Sequence, residues 1–172
     1  MTIPVTTISV LAIAALACVW DLKSARIPNW LTFTGAAAAI LFHAVAPQGQ
    51  GVGAALIGLL LGLAIFLPLF ALRAMGAGDV KLLAALGAWI GWGPVFWVAM
   101  YASVAGGVLA LIVMLARGHF WKGLQNIRTL LTFWMISGIK PLPSVSLDDP
   151  HAVRLPYAVP IAVGLMVTLW QR

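Results

Sequence analysis

The chain contains no glutamate. Its 172 residues hold four acids, all aspartate: Asp21, Asp79, Asp148 and Asp149. Charged residues of both signs make up 8% of it, against roughly a quarter in soluble globular domains. That scarcity excludes an ordinary water-soluble surface. Cysteine is nearly absent too. Cys18 stands alone, which excludes an intramolecular disulfide and a CxxC zinc pair, and it reads as a small buried residue in a helix. The stretch "ALAC" at 15–18 has the outline of a lipoprotein cleavage site, but no Lys or Arg precedes it, so a signal peptide is not expected.

What the chain has in abundance is apolar sequence, 63% of its residues, arranged in long runs. Runs of spanning length mark an integral membrane protein. The net charge of +6 does not gather on one soluble face; the Lys and Arg lie in short loops. Loops of that kind face anionic lipid, and no nucleic acid is expected as a partner.

The runs cover about 4–20, 29–46, 51–72, 80–92, 94–116 and 156–171. Breakers separate them: "RIPN" at 26–29, "PQGQG" at 47–51, "GAG" at 76–78 and "GWGP" at 91–94. The fourth run makes a helix only about 20 Å long, short for a bilayer core and compatible with a re-entrant segment. Charge placement argues that it spans. Lys23, Arg26, Arg73, Lys81, Arg117, Lys122, Arg128, Lys140 and Arg154 all follow runs one, three or five. With six spans, nine of the ten basic residues fall on one side, the cytoplasm, and both termini lie outside. The expected fold is therefore all-α: one polytopic membrane domain over 1–172, with a cytoplasmic loop at 117–155.

In the first half of that loop Phe120, Leu124, Ile127, Leu131 and Trp134 recur at helical spacing, with Lys122, Gln125 and Thr129 on the other side. This predicts an amphipathic helix lying in the cytoplasmic interface, the alternative being a seventh, partly buried helix. The second half, "KPLPSVSLDDPHAV", is a Pro-rich linker. Trp20, Trp30 and Trp92 sit near span ends as interfacial anchors.

Asp21 ends the first span and Asp79 opens the fourth, so the topology puts both near the cytoplasmic edge. An ionisable group below the membrane surface is costly unless paired or hydrated, which makes function its default reading. Gly76 and Gly78 permit unusual backbone angles and close approach, suiting a non-helical start to the span. The competing reading is an interfacial ion pair with Lys23 or Lys81, although residues two apart on a helix do not face each other. If the carboxylates converge, both cannot ionise comfortably and one holds a proton. The charged member can then take a proton from water while the neutral one hydrogen-bonds a peptide carbonyl. Other chemistries fit less well. His43 falls near the outside, and His119 and His151 lie in the long loop with no ligand-spaced cluster, so neither metal nor cofactor is expected. Ser24 and Ser103 have no His placed beside them for a triad.

"GAGD" at 76–79, followed by Lys81, resembles the GxGD motif of intramembrane aspartyl proteases. "DLKSARIPN" at 21–29 resembles the first-aspartate motif of the type IV prepilin peptidases, and "PYAVPIAVG" at 156–164 is similar to that family's final span. The resemblance implies an inner-membrane peptidase that cuts the short basic leader of prepilins on the cytoplasmic side, usually after a Gly. It implies Asp21 and Asp79 as the catalytic pair, with Gly76 and Gly78 shaping the second motif. Lys23, Pro28, Asn29 and Lys81, as parts of the two motifs, would bind substrate or shape the site. Longer members carry an N-terminal cytoplasmic region with paired cysteines, associated with zinc and N-methylation; this chain starts at a span and resembles the short forms of tight-adherence pili and archaeal preflagellins. A peptidase without methyltransferase activity is the expectation. Asp148 and Asp149 could attract the basic leader, but a solvated loop is the preferred reading. The alternative of a different class is a small proton- or ion-coupled transporter using Asp21 and Asp79, although alternating access favours a site near the midplane.

Overall fold

The computed structural model describes residues 4–46, 48–118, 120–138 and 155–171. Seven helices are described: α1 (Val5–Ser24), α2 (Asn29–Val45), α3 (Val52–Ala71), α4 (Ala77–Ile90), α5 (Trp92–Ala116), α6 (Phe120–Ser137) and α7 (Ala158–Trp170). Among the described residues α1, α3 and α5 are long and apolar enough to cross a membrane; α2 and α7 are shorter apolar helices. The Pro-rich linker, with Asp148, Asp149 and His151, lies outside the described residues, as does His119.

The short α4 is the centre of the bundle. Its residues Leu82 to Ile90 are buried without a break, so it has no outward stripe at all. A helix apolar all round is a core helix. Ala84, Ala85, Gly87 and Ala88 keep it thin, and α1, α2, α3, α5 and α7 pack around it. The surrounding helices turn large apolar side chains outward, among them Phe33, Leu41, Leu60 and Val104. In water that belt would drive aggregation, whereas lipid tails accept it. Where α3 meets α4, Gly58 and Gly87 bring backbone against backbone: a Cβ on either would strike the other's carbonyl oxygen.

The far end of α4 is tied by a buried polar cluster. His43, 4% exposed, accepts the Gln50 N–H at Nδ1 over 3.0 Å. The ring proton then sits on Nε2, which donates to the Trp89 carbonyl at 3.1 Å. The Trp89 indole N–H in turn donates to the Gly35 carbonyl at 2.9 Å. His43→Leu leaves a buried carbonyl and a backbone N–H without partners. It is expected to cost about 2–3 kcal/mol, read as a lowered unfolding midpoint in detergent.

The helix α6 forms where the amphipathic pattern predicts one, and Phe120, Leu124 and Ile127 are exposed along it. The largest departure from expectation is at helix ends. The first helix runs on to Ser24 and carries Asp21 within it, stopping at Ala25, whose φ of 50° is left-handed. The fourth starts at Ala77, which makes Gly78 and Asp79 helical.

Candidate active site

Asp21 belongs to the inward face of α1. Val10, Ile13, Ala14, Ala17 and Asp21 follow each other at helical spacing, and all are buried. The acid therefore replaces the next core residue, and it is 7% exposed. Its Oδ2 accepts the backbone N–H of Ala158 at 3.0 Å, in the first turn of α7. That N–H has no intrahelical acceptor, so the carboxylate satisfies an otherwise orphaned donor at the positive end of a helix.

Asp79 is the third residue of α4, with Gly76 as the N-cap. Its own N–H donates to the Gly76 carbonyl at 3.2 Å, and the Gly76 N–H donates back to its carboxylate. This return bond from the third position to the cap is half of a capping box. A carboxylate in the first turn also suits the helix dipole. Of the two things expected of the glycines, the close approach is present and the unusual angles are not. Gly76 has an ordinary extended backbone (φ −74°, ψ 147°), and Gly78 is helical. What Gly78 supplies is close approach: a Cβ there would lie 3.0 Å from the Cβ of Ile27. The loop from Ala25 to Pro28 can thus press against the start of α4.

Both aspartates line one cavity of about 520 Å³, walled also by Arg26, Ile27, Asn29, Met75, Gly76, Gly78, Lys81 and Tyr157. Of the residues singled out from sequence, the structure brings together Asp21, Asn29, Gly76, Gly78, Asp79 and Lys81. Lys23 is exposed at the end of α1, and Pro28 is the N-cap of α2; neither is among the cavity's lining residues. Lys81 reaches across to the other motif. Its ammonium donates to Asn29 Oδ1 at 2.9 Å and lies 5.2 Å from the centre of the Phe33 ring. The cation thus joins α2 to α4.

Tyr157 and Ala158 were not singled out from sequence as site residues. The faint signal for them was the position of Asp21 on a core face, which requires some buried donor to meet it. Among the described residues no three His, Cys, Asp or Glu side chains gather as a group that could hold a metal.

Residues 8–111, which include both cavity aspartates, match the model of the type IV leader peptidase family. A prepilin leader peptidase/N-methyltransferase of Aeromonas salmonicida (strain A449) is 34% identical over 105 residues, covering 58% of this chain and 36% of its own. One of Burkholderia pseudomallei (strain 1026b) is 38% identical over 69 residues, 40% of this chain and 20% of its own. One of Pectobacterium carotovorum is 32% identical over 113 residues, 62% of this chain and 37% of its own. The chain thus matches between a fifth and little more than a third of the length of these relatives. No solved structure matches it.

Proposed function

The chain belongs to the type IV leader peptidase family, and from that premise we propose that it is a membrane-embedded aspartic endopeptidase. In this reading it cuts the short basic leader of prepilin-like proteins at the cytoplasmic face of the inner membrane. Asp21 and Asp79 are the catalytic pair. The observation that carries the reading is their convergence: two of the chain's four acids, on helices far apart in sequence, line the same cavity.

Two carboxyl groups in one recess share a proton. The ionised member takes a proton from water as the water oxygen attacks the scissile carbonyl carbon. The protonated member donates a hydrogen bond to the carbonyl oxygen and steadies the charge that develops there. Collapse of the tetrahedral intermediate expels the new amine, which leaves with a proton from the acid. Backbone donors hold each carboxylate, Ala158 for Asp21 and Gly76 for Asp79.

Six helices, α1 to α5 and α7, span the membrane as one domain with both termini outside, and α6 lies in the cytoplasmic interface against lipid. The substrate's hydrophobic segment stays in the bilayer while its basic leader reaches the acid-bearing cavity. From the relatives' double name only the peptidase half is carried over, because residues 8–111 match a peptidase family model.

The test is cleavage of candidate prepilins by the purified protein in detergent, with the new N-terminus sequenced. A cut without any ion gradient supports the peptidase. Failure to cut any of several prepilins, with gradient-driven uptake of an ion in liposomes, would replace it with the carrier.

A further inference from the structure

The placement of Asp21 depends on a donor outside its own helix. The Ala158 N–H reaches Oδ2 at 3.0 Å, and Ala158 is fully buried. What sets the direction of that N–H is the turn just before it. Tyr157, the N-cap of α7, is wedged between two other helices. Its ring meets Phe66 of α3 edge-on, with centroids 6.1 Å apart and planes at 82°. Its hydroxyl lies over Gly106 of α5 so closely that a Cβ on that glycine would come within 2.5 Å of the oxygen and 2.7 Å of the ring carbon bearing it. Gly106 is buried and stands apart from the cavity wall. Gly107, its neighbour in the same helix, faces open space.

We propose that Tyr157 is a positioning residue for Asp21, acting through the backbone N–H of Ala158, and that Gly106 exists as the socket its ring requires. The proposal rests on the peptidase reading and deepens it. The Tyr157 ring fixes the first turn of α7 against α3 and α5. That turn aims one N–H at the carboxylate, and the carboxylate is thereby held toward Asp79 across the cavity. A Cβ at Gly106 pushes the ring out, rotates the turn and loosens the hydrogen bond. The substrate's contacts along the rest of the cavity stay as they were.

The experiment compares kcat and KM for a prepilin cleaved by the wild type, using Gly106→Ala, Tyr157→Leu, the double variant and Gly107→Ala as control. Gly106→Ala and Tyr157→Leu are each expected to lower kcat about ten- to a hundredfold, because misplacing a reacting group by an ångström costs on that order. KM should stay within about twofold, the mark of an effect on the chemical step. The double variant should be no slower than Tyr157→Leu alone, because both act through one ring. Gly107→Ala should match the wild type. Unfolding midpoints in detergent identify any variant that fails to fold, and if Gly106→Ala does so, the Tyr157→Leu kinetics decide. The proposal is overturned if Gly106→Ala folds and keeps the wild-type kcat, if losses multiply in the double variant, or if Tyr157→Leu raises KM with kcat intact, which would make Tyr157 a substrate contact. A wild type that cuts no prepilin defeats the peptidase reading itself, and the positioning role with it.

Discussion

Asp79→Asn is expected to lower prepilin cleavage by about three to four orders of magnitude, and Asp21→Asn by a similar factor. Each substitution keeps the shape of the side chain and one carbonyl oxygen. Asn at 79 can still accept the Gly76 N–H that closes the cap of α4, and Asn at 21 can still accept the Ala158 N–H. The helices therefore keep their ends, and what disappears is the ionisable oxygen. With either carboxyl gone, the remaining one cannot act as both base toward water and acid toward the carbonyl. The two losses should not add: a pair that works as a unit fails when either member is removed, so the double variant is expected to be about as slow as each single one. Time courses of cleavage in membranes, normalised to the amount of folded protein, check this. Wild-type rates in either single variant would make that aspartate structural and dissolve the pair.

The helices were legible because their signal is coarse: apolar runs divided by Pro and Gly clusters reappear as α1 to α5 and α7, and the α6 pattern reappears as a helix. Their ends were less legible. Asp21 and Lys23 look like the end of a span, yet a charge does not stop a helix, and α1 continues until Ala25 turns left-handed. Glycine misled in part: the close approach expected of Gly78 is there, the unusual angles are not. Left-handed angles near the site fall on Ala25 (φ 50°) and Arg73 (φ 57°), not on Gly76 or Gly78, because they close the ends of α1 and α3: the Ala25 N–H bonds the Asp21 carbonyl and the Ala74 N–H the Leu69 carbonyl. The two aspartates stood out because acids are so rare in this chain. The Ala158 N–H could not stand out, since a backbone donor has no side-chain signature and its acceptor is 137 residues away. The His43–Trp89 tie was hidden for a related reason, since its partner is a main-chain carbonyl. Family membership was readable from "DLKSARIPN" and "GAGD" because both lie inside the stretch that matches the family model.

The second large effect concerns the crossing that holds α4 in the centre. Gly58→Ala or Gly87→Ala is expected to destabilise the protein by about 3 kcal/mol or more. At this crossing the obstacles are main-chain atoms. A Cβ on Gly58 meets the Gly87 carbonyl and a Cβ on Gly87 meets the Gly58 carbonyl, while one on Gly62 would lie 2.6 Å from the Leu83 oxygen. Backbone cannot rotate away as a side chain can, so the helix axes must part. In a bilayer the parting is costly, because lipid tails are as apolar as the core and close packing is what brings helices together. The consequence reaches the site. Asp79 rides on α4, whereas Asp21 is fixed to α7, so sliding α4 away from α3 changes the separation of the two carboxylates. Both variants should therefore cleave more slowly as well as unfold more easily. Gly53→Ala in the same α3 provides the contrast, since nothing stands near its position and Ala there should be neutral or stabilising by about 0.5–1 kcal/mol. Unfolding midpoints in detergent for the three variants make the comparison. If Gly58→Ala melts with the wild type, the helices part without cost and the crossing does not hold α4 in place.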